Sequence, residues 1–568
     1  MFKPIFMKTL GTLDYAVFLT YFLIVAFYGW WIYRKKKADH ENSKDFFLAK
    51  DSLTWWAIGA SLIASNISAE QFIGMSGSGF KMGLAIATYE WMAAATLVIV
   101  AVFFIPVYLK NKIYTMPQFL HQRYNSTVAM IMAVFWLLLY VVVNLTSILY
   151  LGALAINSIS GINLTACMYL LAVFSILITL GGMKVIGYTD VIQVFFLILG
   201  GLATTYLALN LVSTHFGTSG VLNGFNILKD QAGDHFHMIF KKDNENYIDL
   251  PGLTVLIGGM WIVNLNYWGC NQYITQRALG ADLKTARSGI LFAAFLKLLM
   301  PVIVVLPGIA AFVLYKEGYG DFKTSMMQGG EVAPDTAYPV LLNLLPAGLK
   351  GLSFAALTAA VVASLAGKAN SIATIFTLDI YKKVINKDAD EDKQVIIGRY
   401  TVIASMLIAI LIAPYLGIDK KGGFQFIQEY TGFFSPGIFA MFILGFFWKK
   451  TTSNAALFAT IGGFGLSVFL KFLPFLMNLE FLSSTGFSKL VAQKDGTMLY
   501  EIPFLDRMGF VFLICILVMY FISLFETKRG VIAKGLEIET SMFKTTKGFT
   551  VGALIILGLL VALYTVYW

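Results

Sequence analysis

The sequence predicts an all-α polytopic membrane protein: fourteen transmembrane helices, ten of them arranged as two inverted sets of five. Three observations predict it. Of 568 residues, 58% are hydrophobic and only 13% charged, roughly half the charge of an ordinary soluble domain. Fourteen apolar runs approach or exceed the ~20 residues that carry a helix across a bilayer. Two of those runs are crowded with polar residues at matching places in the two halves, ASLIASNISAEQFIGMSGSG at 60–79 and WIVNLNYWGCNQYITQR at 261–277. An unpaired polar group costs several kcal/mol in hydrocarbon, so such stretches persist where a helix unwinds around a solute or an ion.

The runs fall at about 12–34, 53–80, 84–110, 126–158, 163–183, 188–213, 251–278, 287–316, 350–382, 395–417, 423–448, 454–473, 506–526 and 547–568. The first helix, 12–34, stands apart. The segment 53–213 forms the first repeat, 214–250 an outer loop, 251–448 the second repeat, and 454–568 the C-terminal transmembrane helices. Each repeat opens on an interrupted helix. Five is odd, so the second repeat runs inverted relative to the first. Residues 317–349 and 474–505 read as further outer loops, and 383–394 as an inner one.

Orientation follows from the basic residues. Arg34, Lys35, Lys36 and Lys37 follow the first run, which places that loop inside and both termini outside. Alternate loops then agree: 25 of the 42 Lys and Arg fall on the inner side and 15 outside, the positive-inside bias. The net charge of +10 needs no nucleic-acid partner, because the basic residues do not interleave with exposed aromatics as a strand-binding groove requires. Cys167, Cys270 and Cys515 all lie in apolar runs and form no CxxC pair, so neither disulfide framework nor zinc is expected. The N-terminus has no signal-peptide pattern. His235 and His237, in HFH, read as a surface pair. No HExxH, GxxxxGK[ST], GxSxG or dinucleotide fingerprint occurs, so the chain is not expected to be an enzyme.

The polar residues inside the runs carry the chemistry. Ser65, Asn66, Ser68, Glu70 and Gln71 crowd the second run, too many for simple interhelical hydrogen bonding, and Gly74, Gly77 and Gly79 follow. Asn264, Asn266, Asn271 and Gln272 lie in the seventh run beside Tyr267 and Trp268. Amides donate and accept together, which matches a polyhydroxylated solute, and an aromatic face covers the apolar side of a sugar ring or packs the bundle. Lys297 sits about ten residues from either end of its run, too far to reach water, and a mid-membrane lysine is costly unless paired. Glu90 reads either as interfacial or as an acceptor of sugar hydroxyls. Gln428 and Glu429 open the eleventh run. Asp190 opens the sixth, where an acid also suits a helix N-terminus. In the ninth, Ser364 and Lys368 are four apart, on one helix face: a hydroxyl suited to a hard cation such as Na+, and one turn on, that cation's electrostatic competitor.

ASLIASNISAEQFIGMSGSG, the YEW at 89–91, VNLTSILYLG at 143–152, GGMKVIGYTDVIQ, NQYITQR, FLKLLMPVIVVLPG and FQFIQEYTGFFSPG together resemble the solute:sodium symporter family, over nearly the whole chain. Within the family the likeness is greatest to bacterial sodium-coupled galactose/glucose carriers. The resemblance implies a LeuT-like fold with helices 2–6 and 7–11 as the inverted repeats. It implies a monosaccharide held by Gln71, Glu90, Asn264, Lys297 and Gln428. Tyr267 would be the inner gate beneath the ring, held by Asn66 and backed by Trp268. Met75, Tyr89 and Phe424 would form the outer lid. Na+ would be held by carbonyls of Ala64, Ile67 and Ala360 and the hydroxyl of Ser364, and would leave past Asp190. The lipid bilayer, as a bacterial inner membrane crossed many times, is the expected setting, and no obligate protein partner is evident.

Three residues depart from the family pattern. Ala363 stands where the sodium site usually has a second hydroxyl, Lys368 where the family is apolar, and Ala93 where the galactose carriers have a serine. Lys368 is expected either to replace the ion, pairing with Asp190, or to point into an inner vestibule and meet water. The reading is sodium-coupled symport of a hexose (galactose or glucose) by alternating access. A sodium-independent or proton-coupled sugar carrier with Lys368 as ion surrogate, and a membrane sugar sensor that does not transport, remain alternatives.

Overall fold

The computed structural model describes residues 10–35, 53–328, 330–415, 423–493 and 495–568. Among them ten helices are long and apolar enough to cross a membrane. An eleventh span counts if Gly423–Gly432 and Ser435–Phe447, bent by 51°, are taken as one. Four of the fourteen expected runs therefore differ from continuous spans, the bent run 423–448 among them. The run 163–183 is a 16-residue helix, Leu164–Thr179. The runs 53–80 and 251–278 are each split: Trp55–Asn66 and Ser76–Met82 flank one break, and Gly259–Cys270 and Gln272–Leu279 the other. These are the two runs whose polar density predicted unwinding. The basic loop after the first helix lies, from residue 36 on, outside the described residues.

The first break has a sequence-encoded geometry. Ile67 leaves the helix in an extended conformation (φ −86°, ψ 114°). The Ser68 amide then donates to the Gln71 side chain (2.9 Å) and the Gln71 amide to the Ser68 carbonyl (3.1 Å). Neither amide takes the carbonyl four residues back, so the carbonyls of Ala64 and Ile67 are left without their helical donors. The chain restarts as a wide π-turn, Glu70–Met75, a local unwinding often found at functional positions. At the second break Asn271 is extended and its side chain accepts from the Tyr273 amide (3.2 Å), an N-cap for the helix that follows.

The long helix Leu283–Lys316 lies along the first broken helix and on Thr88–Ile99, and Gly182–His215 packs on Leu349–Thr374. Small residues permit the approach. A Cβ on Gly59 would come within 2.6 Å of the Gly289 carbonyl, and one on Gly308 within 2.1 Å of the Ser76 carbonyl, so an alanine at either position would push two helices apart.

The segments expected as outer loops have small internal structure. They carry the helix Val221–Gln231 and two short hairpins, Met327–Gln328 with Glu331–Val332 and Lys489–Ala492 with Met498–Glu501. The strands are the one exception to the all-α expectation. His235 is half-buried rather than free at the surface: its ring stacks on Phe312 (4.0 Å between centroids) and bonds the Phe80 carbonyl (3.0 Å). His237, exposed, meets the Trp568 carbonyl instead (3.1 Å). All three cysteines are free and buried.

Candidate solute and ion sites

The break in the first broken helix and the neighbouring turns of Gly259–Cys270, Thr88–Ile99 and Leu283–Lys316 bring together the residues read as the solute site. Lys297, 1% exposed, meets both Glu90 and Asn66 in direct contact. The Asn66 amide turns back to the Tyr267 hydroxyl (3.1 Å). Tyr267 packs edge-on against Trp268 (5.1 Å), and the Lys297 ammonium lies 5.2 Å over the Trp268 ring. Residues from four segments thus form one network: carboxylate, ammonium, amide, phenol. Lys297 is paired as its position demanded, and Glu90 is buried rather than interfacial.

Asn264 is buried, with its amide bonded one turn back to the Met260 carbonyl (3.2 Å). The other amides of this run serve the scaffold. Asn271 caps the second half-helix and meets the Tyr140 hydroxyl. Gln272 accepts from the Met116 amide (2.8 Å), and Asn266 donates to Ser435 (3.2 Å). Gln71 accepts the Ser68 amide, so its carbonyl oxygen closes the break. Gln428 is half-buried on Gly423–Gly432, and its neighbour Glu429 turns away to Lys471 (2.8 Å) and Arg507 (3.0 Å).

Above this network, two of the expected lid residues meet. Tyr89 and Phe424 pack edge to face at 4.9 Å. Phe424 also lies against Gly74, where a Cβ would come within 2.7 Å of its backbone nitrogen. Met75, next to Gly74, is fully buried. Asp335, in the outer loop, was not foreseen. It accepts from the Gly423 amide (2.7 Å) and would lie 2.5 Å from a Cβ on Gly77, so it ties its loop to the backbones beside Phe424 and Met75. Its place in PDTAYP gave no signal, because nothing local marks a loop carboxylate that closes on a distant backbone amide.

The residues read as the ion site come together where the break meets Leu349–Thr374. The Ser364 hydroxyl donates to the Ser65 carbonyl and bonds the Tyr273 hydroxyl, both at 3.1 Å. The open carbonyls of Ala64 and Ile67 belong to the same turn, and Ala360 precedes Ser364 by one turn on the same helix. Oxygen ligands of this kind suit a hard cation. Asp190 has other partners at one oxygen: Ser61 donates to Oδ2 at 2.5 Å, and the Arg277 guanidinium stands 4.0 Å from it, while Oδ1 is buried without a hydrogen bond among the described residues. Arg277 also donates to Ser61 (2.9 Å).

Lys368 has neither of the two surroundings expected for it, the Asp190 carboxylate or water. It does not pair with Asp190, because Arg277 already holds that carboxylate. Nor does it reach water: it is 4% exposed. Its ammonium lies 3.7 Å from Glu70 and 5.1 Å over the Tyr273 ring. Glu70 is thus part of the ion-site surroundings rather than the solute cluster. The pairing was not legible in sequence, since the π-turn decides which way Glu70 faces.

Comparison with known proteins agrees with this geometry. The sodium:solute symporter family model matches residues 46–463. A sodium/glucose cotransporter of Vibrio parahaemolyticus is 46% identical over 566 residues, covering 98% of this chain and 99% of that protein. A sodium/myo-inositol cotransporter 2 of Sus scrofa is 33% identical over 493 residues, 83% of this chain and 71% of that one. A solved Na+-coupled sialic acid symporter superposes with a TM-score of 0.73 at 20% identity, over 91% of this chain and 98% of that structure, a likeness of fold. The chain is therefore a multi-pass membrane transport protein, and it belongs to the sodium:solute symporter family.

Proposed function

We propose that this chain carries a hexose, galactose or glucose, into the cell together with Na+. The observation that carries the reading is the Glu90–Lys297–Asn66–Tyr267 network at the first break. It places an acceptor, a donor, an amide and an aromatic ring around one point, the set that a pyranose with hydroxyl edges and an apolar face requires. Gln71, Asn264 and Gln428 supply further hydroxyl contacts, Tyr267 backed by Trp268 is the inner gate, and Met75, Tyr89 and Phe424 are the outer lid. Na+ takes the carbonyls of Ala64, Ile67 and Ala360 with the Ser364 hydroxyl, and its inward route passes Asp190. The fourteen-helix, five-plus-five inverted architecture, the outside termini and residence in a bacterial inner membrane belong to the same reading.

Coupling follows from linkage. A ligand shifts a conformational equilibrium only through its differential affinity for the two states. Na+ bound to the open carbonyls pins the break in the geometry that presents Gln71 and Asn66 to the sugar. Lid closure at Phe424 and release of Tyr267 from Asn66 then complete the exchange.

The test is initial uptake of labelled galactose and glucose into proteoliposomes, under an inward Na+ gradient and under an equal K+ gradient. Stimulation by Na+ and not by K+ is the expected result. Equal uptake in both salts would favour a second reading, which the Lys368–Glu70 pair supports: an internal cation standing in for the ion, with coupling to protons or to none. Binding without counterflow of labelled sugar would make the chain a sensor.

A further inference from the structure

Gln428 is half-buried, and its amide makes no hydrogen bond with a described residue. Its direction is therefore set by the half-helix that carries it, Gly423–Gly432, and not by a partner. That half-helix meets its continuation, Ser435–Phe447, at a 51° bend, so no continuous span fixes its rotation. Phe424 lies one turn before Gln428, on the same face. A turn about the helix axis moves the Phe424 ring and the Gln428 amide together.

The last turn of the half-helix is clamped. Glu429, the residue next to Gln428, accepts from Lys471 (2.8 Å) and from Arg507 (3.0 Å), both at Oε1. Lys471, at the end of helix Gly463–Phe472, also reaches Glu501 (3.4 Å), and Gln493 donates to the other oxygen of Glu501 (2.8 Å). Arg507, in the first turn of Phe504–Lys528, lies with its guanidinium 5.4 Å over the Phe433 ring, at the bend itself. Two acids and two bases from four segments close on one helix end. One of them, Glu501, belongs to the hairpin of Lys489–Ala492 with Met498–Glu501. An isolated surface pair contributes little, but charges that share partners in a network hold a geometry. The side chains are only 6% (Arg507) to 23% (Lys471) exposed, so water screens the cluster little.

We infer that Glu429 is a positioning residue for the sugar: held by Lys471 and Arg507, it fixes the rotation of Gly423–Gly432 and so aims the Gln428 amide at the solute. The inference rests on the reading of Gln428 as a sugar contact. Adjacent residues of a helix point about 100° apart, so anchoring one side chain sets the direction of the other. Arg507 holds the bend as well, through Phe433, and the hairpin braces the clamp through Glu501 and Lys471. That gives the segment 474–505 a part in sugar recognition although none of its residues is read as touching sugar.

The test is the sugar KM and maximal rate from initial uptake into proteoliposomes at saturating Na+, for Glu429→Gln, Gln428→Ala and the two combined. Glu429→Gln should raise the sugar KM about fivefold, the worth of one ordinary hydrogen bond. It should change the maximal rate less than about twofold and leave the Na+ KM where it is, the pattern of lost sugar binding alone. Gln428→Ala should raise the sugar KM as much, and the combined variant no further, because Glu429 acts through Gln428. Glu429→Gln also leaves Arg507 without its partner. Adding Arg507→Gln removes that lone charge, so the melting temperature in detergent should recover while the sugar KM stays raised. A KM raised by Gln428→Ala but unmoved by Glu429→Gln would overturn the inference. So would effects that multiply in the combined variant, or a KM restored together with the melting temperature, the mark of scaffold alone. A KM unmoved by Gln428→Ala would remove Gln428 from the solute site, and would overturn the underlying reading along with the inference.

Discussion

Two buried lysines, on the long helices Leu283–Lys316 and Leu349–Thr374, face two carboxylates and are held quite differently. Lys297 touches Glu90 and Asn66 directly, and Asn66 is in turn bonded to Tyr267. Lys368 stands 3.7 Å from Glu70, whose Oε1 has no hydrogen-bond donor among the described residues, and its ammonium also lies over the ring of Tyr273. The first pair is closed on every side by its own network. The second is a loose contact of opposite charges beside a turn of open carbonyls. A closed network fixes a shape for recognition. A loose pair leaves an electrostatic balance that a small cation can tip. In the proposed function, that difference is why the first pair is read with the sugar and the second with the ion.

Breaking the closed pair should have the largest effect. Removing one partner of a buried ion pair leaves an uncompensated charge and costs about 3–5 kcal/mol. Glu90→Gln or Lys297→Met alone should therefore cut sugar uptake by at least about 100-fold, at ~1.4 kcal/mol per decade, and lower the melting temperature in detergent. The double variant should regain most of that stability, because no lone charge remains, while uptake stays lost. Uptake restored in the double variant would mean that the pair is scaffold and touches no sugar.

The loose pair should respond in the opposite direction. One helical turn separates Lys368 from Ser364, a rise of about 5.4 Å. At an effective dielectric of about 20, a unit charge at that distance opposes a bound cation by about 3 kcal/mol. Lys368→Met removes the repulsion and leaves the Glu70 charge to attract the ion. The Na+ KM for uptake should fall about tenfold, reflecting relief from only part of that repulsion. Lys368→Met together with Glu70→Gln should return it most of the way. A Na+ dependence unchanged by Lys368→Met would separate the lysine from the ion altogether.

The comparison also marks how far sequence alone reaches. Both lysines announced themselves, because a lysine in the middle of an apolar run must be paired. The partner of Lys297 was within reach, since Glu90 was the acid already read as a sugar ligand. The partner of Lys368 was not. Asp190 was the plausible acid along the chain, but Arg277 and Ser61 hold it, and Glu70 is turned toward Lys368 by a π-turn that no periodicity predicts. The two broken helices were legible for the same reason as the lysines: polar density in hydrocarbon is expensive. Which amides face a solute was not. Asn271 and Gln272 resemble ligands in sequence, yet they serve as a helix cap and as an anchor for Met116, roles decided by backbone geometry. Asp335 lies in a polar loop, where a carboxylate costs nothing until the fold closes over it.

Asp335 gives the smallest expected effect and the finest test of the contrast, because it lies outside the membrane spans and near neither lysine. Burial pushes its carboxyl from the usual range up to about 6, only partly offset by the Gly423 amide that it accepts. A carboxyl whose pKa is raised when buried favours the buried arrangement while protonated. That preference is present below the ordinary carboxylate pKa and is lost as pH rises through about 6. The arrangement in question is the closed lid, with Asp335 against Gly77 and Gly423. Acidifying the outer solution from pH 7.5 to 5.5 should therefore hold the lid shut and slow initial sugar uptake about two- to threefold, at fixed Na+ gradient. Asp335→Asn keeps the shape and removes the titration, so its uptake should be flat across that window. Because the lid covers sugar and ion together, the change should appear in the maximal rate rather than in the Na+ KM. A shift confined to the Na+ KM would place the acid-sensitive group beside Lys368 and Glu70 instead, and would make the loose pair, not the loop carboxylate, the residue set that senses pH.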